Sequence, residues 1–120
     1  MRTWRRKIGH RRGVPMAIVV SVLERDGYQC AYGPDGCGGH WTADHVIPRS
    51  LAEKYELVLG YSANHPSNLV ACCWHHNERK GRRLLIPVSH SRRLDEYNEH
   101  GIGVFRIWDG SFEALREVVR

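Results

Sequence analysis

A chain of 120 residues, 42% of them hydrophobic, is long enough for one domain with a small core and too apolar to be wholly disordered. Its 18 Lys and Arg against 13 Asp and Glu leave a net charge of +5, which favours an acidic partner, most commonly nucleic acid. No apolar run approaches the roughly 20 residues that span a bilayer. The apolar run at 14–23 is closed by Glu24, Arg25 and Asp26 rather than by a signal-peptide cleavage site, so a cytoplasmic chain without membrane contact is expected.

Arg2, Arg5, Arg6, Lys7, Arg11 and Arg12 crowd the start, and 1–13 reads as a flexible basic arm. Pro15 suits a first helical turn, and the charged pair and Gly27 behind 16–25 favour a helix there with a glycine stop. Residues 30–39 read as loop, punctuated by Gly33, Pro34, Asp35, Gly36, Gly38 and Gly39. A short strand is predicted over 40–47, ended by Pro48. A short helix and then loop follow over 50–61, a turn at Asn64, Pro66 and Ser67, and an apolar stretch over 68–71. The segment 73–83 reads as a helix ending near Gly81. Beyond Leu84 the signals weaken: a helix over 91–100, a strand over 102–108, and a last helix that Ser111 can cap. The organisation expected is an arm at 1–13, a metal-stabilised core at 14–88, and an extension of helix and strand at 89–120 packed on that core.

The four cysteines are Cys30, Cys37, Cys72 and Cys73. In a secreted chain they would suggest two disulfides. Adjacent Cys72 and Cys73, with His75 and His76 just behind, read in a reducing compartment as half of a metal site. Zinc takes four thiolate or imidazole ligands in a tetrahedron. The glycine-rich loop between Cys30 and Cys37 can fold both sulfurs onto one point. The other half has two registers, Cys73 with His76 or Cys72 with His75. Each pair is three apart, hence on one helix face. The role expected is structural, because a small chain gains from a closed metal site the folding free energy that its core supplies poorly.

Between these ligand pairs lie Asp44-His45 and Asn68, and Asn77 follows directly behind the second pair. Cutting a phosphodiester needs an activated nucleophile, a Lewis acid for the departing oxygen, and charge balance. An imidazole is by residue type the side chain suited to exchange a proton near neutral pH, so His45 can take one from water. Asp44 is a hard oxygen ligand for magnesium or manganese, and Asn77 offers a carbonyl oxygen to the same ion. Asn68 can bind the backbone or the imidazole and hold His45 in place. Neighbouring strand residues face opposite ways, so Asp44 and His45 serve one site only where the strand bends or ends, as Pro48 allows. Singly, each has a plainer role: a turn acid, a core histidine, a cap, a surface asparagine. Their order among the zinc ligands sets them apart. Arg49, Arg79, Lys80 and Arg82 are candidate phosphate contacts. Trp41, Trp74 and Trp108 read as core.

In this order, residues 30–81 resemble the HNH endonuclease family in its Asp-His, Asn, Asn form, as in the small free-standing nucleases of bacteriophages and bacteria. The resemblance implies an α+β fold, a small zinc-stabilised ββα-metal core with flanking helices, set against the minor groove of DNA. It implies hydrolysis of DNA phosphodiesters to a 5′ phosphate and a 3′ hydroxyl. His45 would be the general base, with Asn68 beside it in the catalytic set. Asp44 and Asn77 would bind one magnesium or manganese ion that stabilises the leaving oxygen. The family places its last zinc ligand just before a metal-binding residue, with Lys three further on. Asn77 and Lys80 match that pattern, which selects Cys73 and His76 for the structural zinc, with His76 standing where many members have cysteine. The implied partner is DNA, together with phage proteins such as a packaging terminase if the chain is phage-encoded. The competing reading is a zinc-stabilised DNA-binding module or packaging accessory without catalysis, which has no need of Asp44-His45.

Overall fold

The computed structural model describes residues 8–9 and 13–112. Helix α1, Met16–Arg25, starts behind Pro15 and buries Val19, Val22 and Leu23, spaced to share one face. The chain leaves it through Gly27 in a left-handed conformation. That face packs on an antiparallel pair, β1 Trp41–His45 and β2 Leu69–Cys73, with Trp41 opposite Cys73 and His45 opposite Leu69. Strand alternation divides these residues. Trp41, Ala43, Leu69 and Ala71 join α1 in one core cluster. Val70 and Cys72 face away into two others.

The connection from β1 to β2 carries α2, Arg49–Lys54, then α3, Glu56–Leu59, then a 3-10 turn, Pro66–Asn68. Where a short helix and then loop were expected over 50–61, the chain forms two short helices that meet at Tyr55. β2 runs directly into α4, Trp74–Lys80, which ends at Gly81 as expected. On α4, His76 and Lys80, one turn apart, are the buried residues.

The C-terminal part is less separate than an extension. Strand β3, Leu85–Pro87, pairs in parallel with β4, Arg106–Trp108. Between them lie a 3-10 stretch, Val88–Arg93, and helix α5, Leu94–Glu99. The helix expected over 91–100 is thus α-helical only in its second part, and the strand expected from 102 starts at Arg106. Tyr97, Ile102 and Phe105 lie in the same cluster as Val46, Ile47, Val70 and Ile86, so residues of 89–120 complete the core. β3 has no sequence signature because its three residues are all buried and show no alternation. The expected last helix falls beyond Phe112, outside the described residues. So does most of the basic arm, except that Ile8 bridges to Trp41 and Gly9 N donates to its carbonyl at 2.6 Å. Trp41 and Trp108 are core as expected, whereas Trp74 is 41% exposed beside His40. Among the described residues no helix is long and apolar enough to cross a membrane.

Candidate functional site

Cys73 closes β2 and caps α4, its sulfur accepting the His76 amide at 3.4 Å. This strand-to-helix junction turns the His76 ring back onto the sulfurs. Its Nδ1 lies 3.1 Å from Cys73 Sγ, 3.5 Å from Cys37 Sγ and 3.7 Å from Cys30 Sγ. The loop bearing Cys37 is tied to the start of α4, where the Trp74 and His75 amides donate to the carbonyls of His40 and Gly38 at 3.0 and 3.2 Å. The four donor atoms lie within 4.8 Å of one another, close enough to hold one metal ion such as zinc. Hydrogen bonds from the Cys72 and Cys73 thiols hold the Cys30 thiol far below its ordinary range. The contact with Cys30, and then burial, push the Cys73 thiol far above its own, so Cys30 is the thiolate and Cys73 the donor of the pair.

His76 Nε2 lies 3.1 Å from the Gly110 carbonyl oxygen. A carbonyl only accepts, so Nε2 carries the proton and Nδ1 is left as the ligand nitrogen. Gly110 has φ +88, and a Cβ there would run into the Tyr32 carbonyl, so the position needs glycine. Trp108 and Phe112 pack their rings 5.5 and 5.2 Å from the imidazole. The C-terminal segment thus closes the clamp. Sequence reasoning missed Gly110 because any residue offers a carbonyl. The geometry also decides the register. Cys72 is not among the four converging donors: it is a buried thiol beside Cys30, its sulfur donating to the Cys73 carbonyl at 3.3 Å within a cluster of Tyr32, Leu85 and Trp108. His75 is exposed.

Asp44 and His45 leave β1 on opposite faces. Asp44, 3% exposed, turns toward α4, where its Oδ2 accepts Lys80 Nζ at 2.7 Å and the Tyr32 hydroxyl at 3.1 Å. Lys80, 2% exposed, also donates to the carbonyls of His45 at 3.0 Å and Val46 at 3.4 Å. Burial, then the Asp44 charge, push the Tyr32 phenol well above its usual value, so it stays a donor. Two expectations change here. Lys80 is no phosphate contact, because its ammonium is enclosed and satisfied by three oxygens of the fold. Asp44 has the oxygen chemistry for magnesium or manganese, but the oxygen that binds Lys80 already carries a cation. As arranged, Asp44 Oδ2 is therefore closed to a divalent ion, while Asn77 lies half-buried in mid-α4.

His45, 4% exposed at the end of β1, places Nε2 2.8 Å from Asn64 Oδ1. Asn64 read in the sequence only as a turn residue. Asn68, 1% exposed, binds main chain rather than the imidazole. Its Oδ1 accepts the Ile47 amide at 2.9 Å, while its Nδ2 donates to the carbonyls of Ile47 at 3.1 Å and Ala63 at 2.9 Å. It thereby fixes the peptide two residues after His45. The other basic candidates are on the surface: Arg49 pairs with Glu53 at 2.9 Å, Arg79 lies over the Phe112 ring at 5.3 Å, and Arg82 is exposed.

Comparison with protein-family models, with curated proteins and with solved structures finds no match to this chain.

Proposed function

We propose that the chain is a DNA endonuclease of the HNH type, a phosphodiester hydrolase in which His45 is the general base. The observation that carries this reading is the succession of β1, a pinned loop, β2 and α4. His45 ends β1, Asn68 ties down the chain just behind it, and β2 passes straight into the helix that bears Cys73, His76 and Asn77.

In the reaction, His45 takes a proton from water as the oxygen attacks phosphorus. The bond to the 3′ oxygen breaks with its electron pair, and that oxygen takes a proton from solvent water, leaving a 5′ phosphate and a 3′ hydroxyl. Arg49, Arg79 and Arg82 contribute positive charge toward the phosphate backbone. Asn68 holds the strand end that presents the imidazole. Zinc at Cys30, Cys37, Cys73 and His76 anchors α4 to the loop and supplies folding free energy rather than chemistry. The HNH resemblance assigns magnesium or manganese to Asp44 and Asn77, where the ion would stabilise the leaving oxygen. Asp44 reaches such an ion only after Lys80 releases it.

One observation favours the rival reading of a zinc-stabilised DNA-binding module: Asp44 and His45 are both buried in the free protein. Plasmid cleavage separates the two. The zinc-loaded protein, given supercoiled plasmid with magnesium or manganese, is expected to nick or linearise it. His45→Ala is expected to be inactive at unchanged zinc content and DNA affinity. Binding without cleavage by the parent, or equal cleavage by His45→Ala, refutes the assignment. The implied DNA partner is tested in the same assay. A phage packaging protein such as a terminase is a further partner that pull-down from infected cells would test.

A further inference from the structure

We propose that Asn64 is a positioning residue that sets the tautomer of His45, making Nδ1 the basic nitrogen. This rests on the nuclease reading for its consequence, though not for its geometry. Asn64 Nδ2 lies 2.6 Å from the Gly13 carbonyl oxygen, and Asn64 Oδ1 lies 2.8 Å from His45 Nε2. The Gly13 carbonyl has no proton to give, so the Asn64 amide nitrogen must face it. The amide oxygen is then committed to His45. That oxygen can only accept, so His45 Nε2 must carry a hydrogen. In a neutral imidazole the basic lone pair is then on Nδ1.

The orientation of Asn64 is itself held from behind. Its neighbour Ala63 is buried, and the Ala63 carbonyl accepts Asn68 Nδ2 at 2.9 Å. Asn68 thus fixes both the peptide after His45 and the residue before Asn64. The two asparagines act in series, one placing the ring and the other choosing its proton. Sequence position hides this, because Asn64 stands 19 residues from His45 in a segment that reads only as a turn.

The test uses zinc-loaded protein and long-range proton–nitrogen NMR of the histidine rings at mildly alkaline pH, with plasmid cleavage and DNA affinity measured in parallel. The parent is expected to show His45 in the Nε2–H form. Asn64→Leu, close in shape but without an acceptor, is expected to lose that single form and to cleave about 10–100-fold more slowly at unchanged DNA affinity. Asn64→Asp keeps an acceptor at Nε2 while setting a second carboxylate oxygen against the Gly13 carbonyl, so it is expected to retain the tautomer at some loss of stability. An Nδ1–H form in the parent overturns the proposal, as does parental tautomer and rate in Asn64→Leu. Since the tautomer is read without DNA, a chain that shows the Nε2–H form, loses it in Asn64→Leu and yet cuts nothing refutes the nuclease reading while the tautomer assignment stands.

Discussion

Lys80 and Asp44 form a buried ion pair, Nζ to Oδ2 at 2.7 Å, that joins α4 to β1 across 36 residues of chain. Desolvating two charges is costly, and the pair is retained only because Tyr32 and two main-chain carbonyls complete its hydrogen bonds. Removing one partner leaves the other charged and enclosed. Lys80→Met is therefore expected to lose about 3–5 kcal/mol of stability in urea unfolding of the zinc-loaded protein. Asp44→Asn combined with Lys80→Met should recover much of that loss. If the double variant loses the sum of the two single losses, the residues are uncoupled.

The same pair bears on the divalent ion that the nuclease proposal would require. An incoming dication must compete with an ammonium for one carboxylate oxygen, so manganese should bind the parent weakly. Lys80→Met is expected to bind manganese at least about tenfold more tightly, a difference of 1.4 kcal/mol by the affinity relation. Adding Asp44→Asn should abolish the gain. Electron paramagnetic resonance titration of zinc-loaded protein measures this. Tight, Asp44-dependent binding in the parent would show that Lys80 is no obstacle.

For the structural metal, the geometry makes Cys72 and Cys73 unequal. Cys73→Ala is expected to lose zinc and the cooperative melting transition, because closed zinc sites are worth about 10–16 kcal/mol in zinc-finger peptides. Cys72→Ala should keep one zinc and lose only about 1 kcal/mol of packing. Zinc content by elemental analysis and thermal melting decide it. Zinc loss in Cys72→Ala with retention in Cys73→Ala would reverse the register.

Asn68→Ala leaves the Ile47 amide and two buried carbonyls short of a partner. Unsatisfied buried groups cost about 1–3 kcal/mol each, and partial relaxation sets a total of about 2–5 kcal/mol. Cleavage should fall along with stability while DNA affinity holds. A variant as stable as the parent would mean that the loop does not depend on this side chain.

On the surface, Arg82→Ala and Arg79→Ala should each reduce the slope of log affinity against log salt by about 0.9 where the lost side chain met a duplex phosphate. Binding to duplex DNA over a salt series measures this. An unchanged slope for both would move the phosphate-binding surface away from α4.

Much of the clamp was legible in the sequence, because ligand chemistry is local. Cys30 and Cys37 bracket a loop of glycines, and Cys73 and His76 stand one helical turn apart. The strand at Trp41–His45 and the helix ending at Gly81 were legible for the same reason: a proline and a glycine mark their ends. Lys80 misled because it sits in a run of arginines that reads as solvated surface. One signal pointed the other way, since Lys80 lies four residues after His76 and so shares its helix face. Gly110 and β3 left no comparable trace. One acts through a backbone carbonyl, and the other is three buried residues without alternation.

The chain by itself narrowed the zinc ligands to Cys30, Cys37 and one of two Cys/His pairs behind β2, since residue type and short spacing are local, and the fold chose Cys73 with His76. Only the tertiary structure decided which charges go inside and which hydrogen bonds aim the rings. Asp44 meets Lys80, His45 meets Asn64 and His76 meets Gly110 across separations of 36, 19 and 34 residues. Such pairings are set by how β1, β2 and α4 pack, because an enclosed polar group must find its partner wherever the fold brings one within reach.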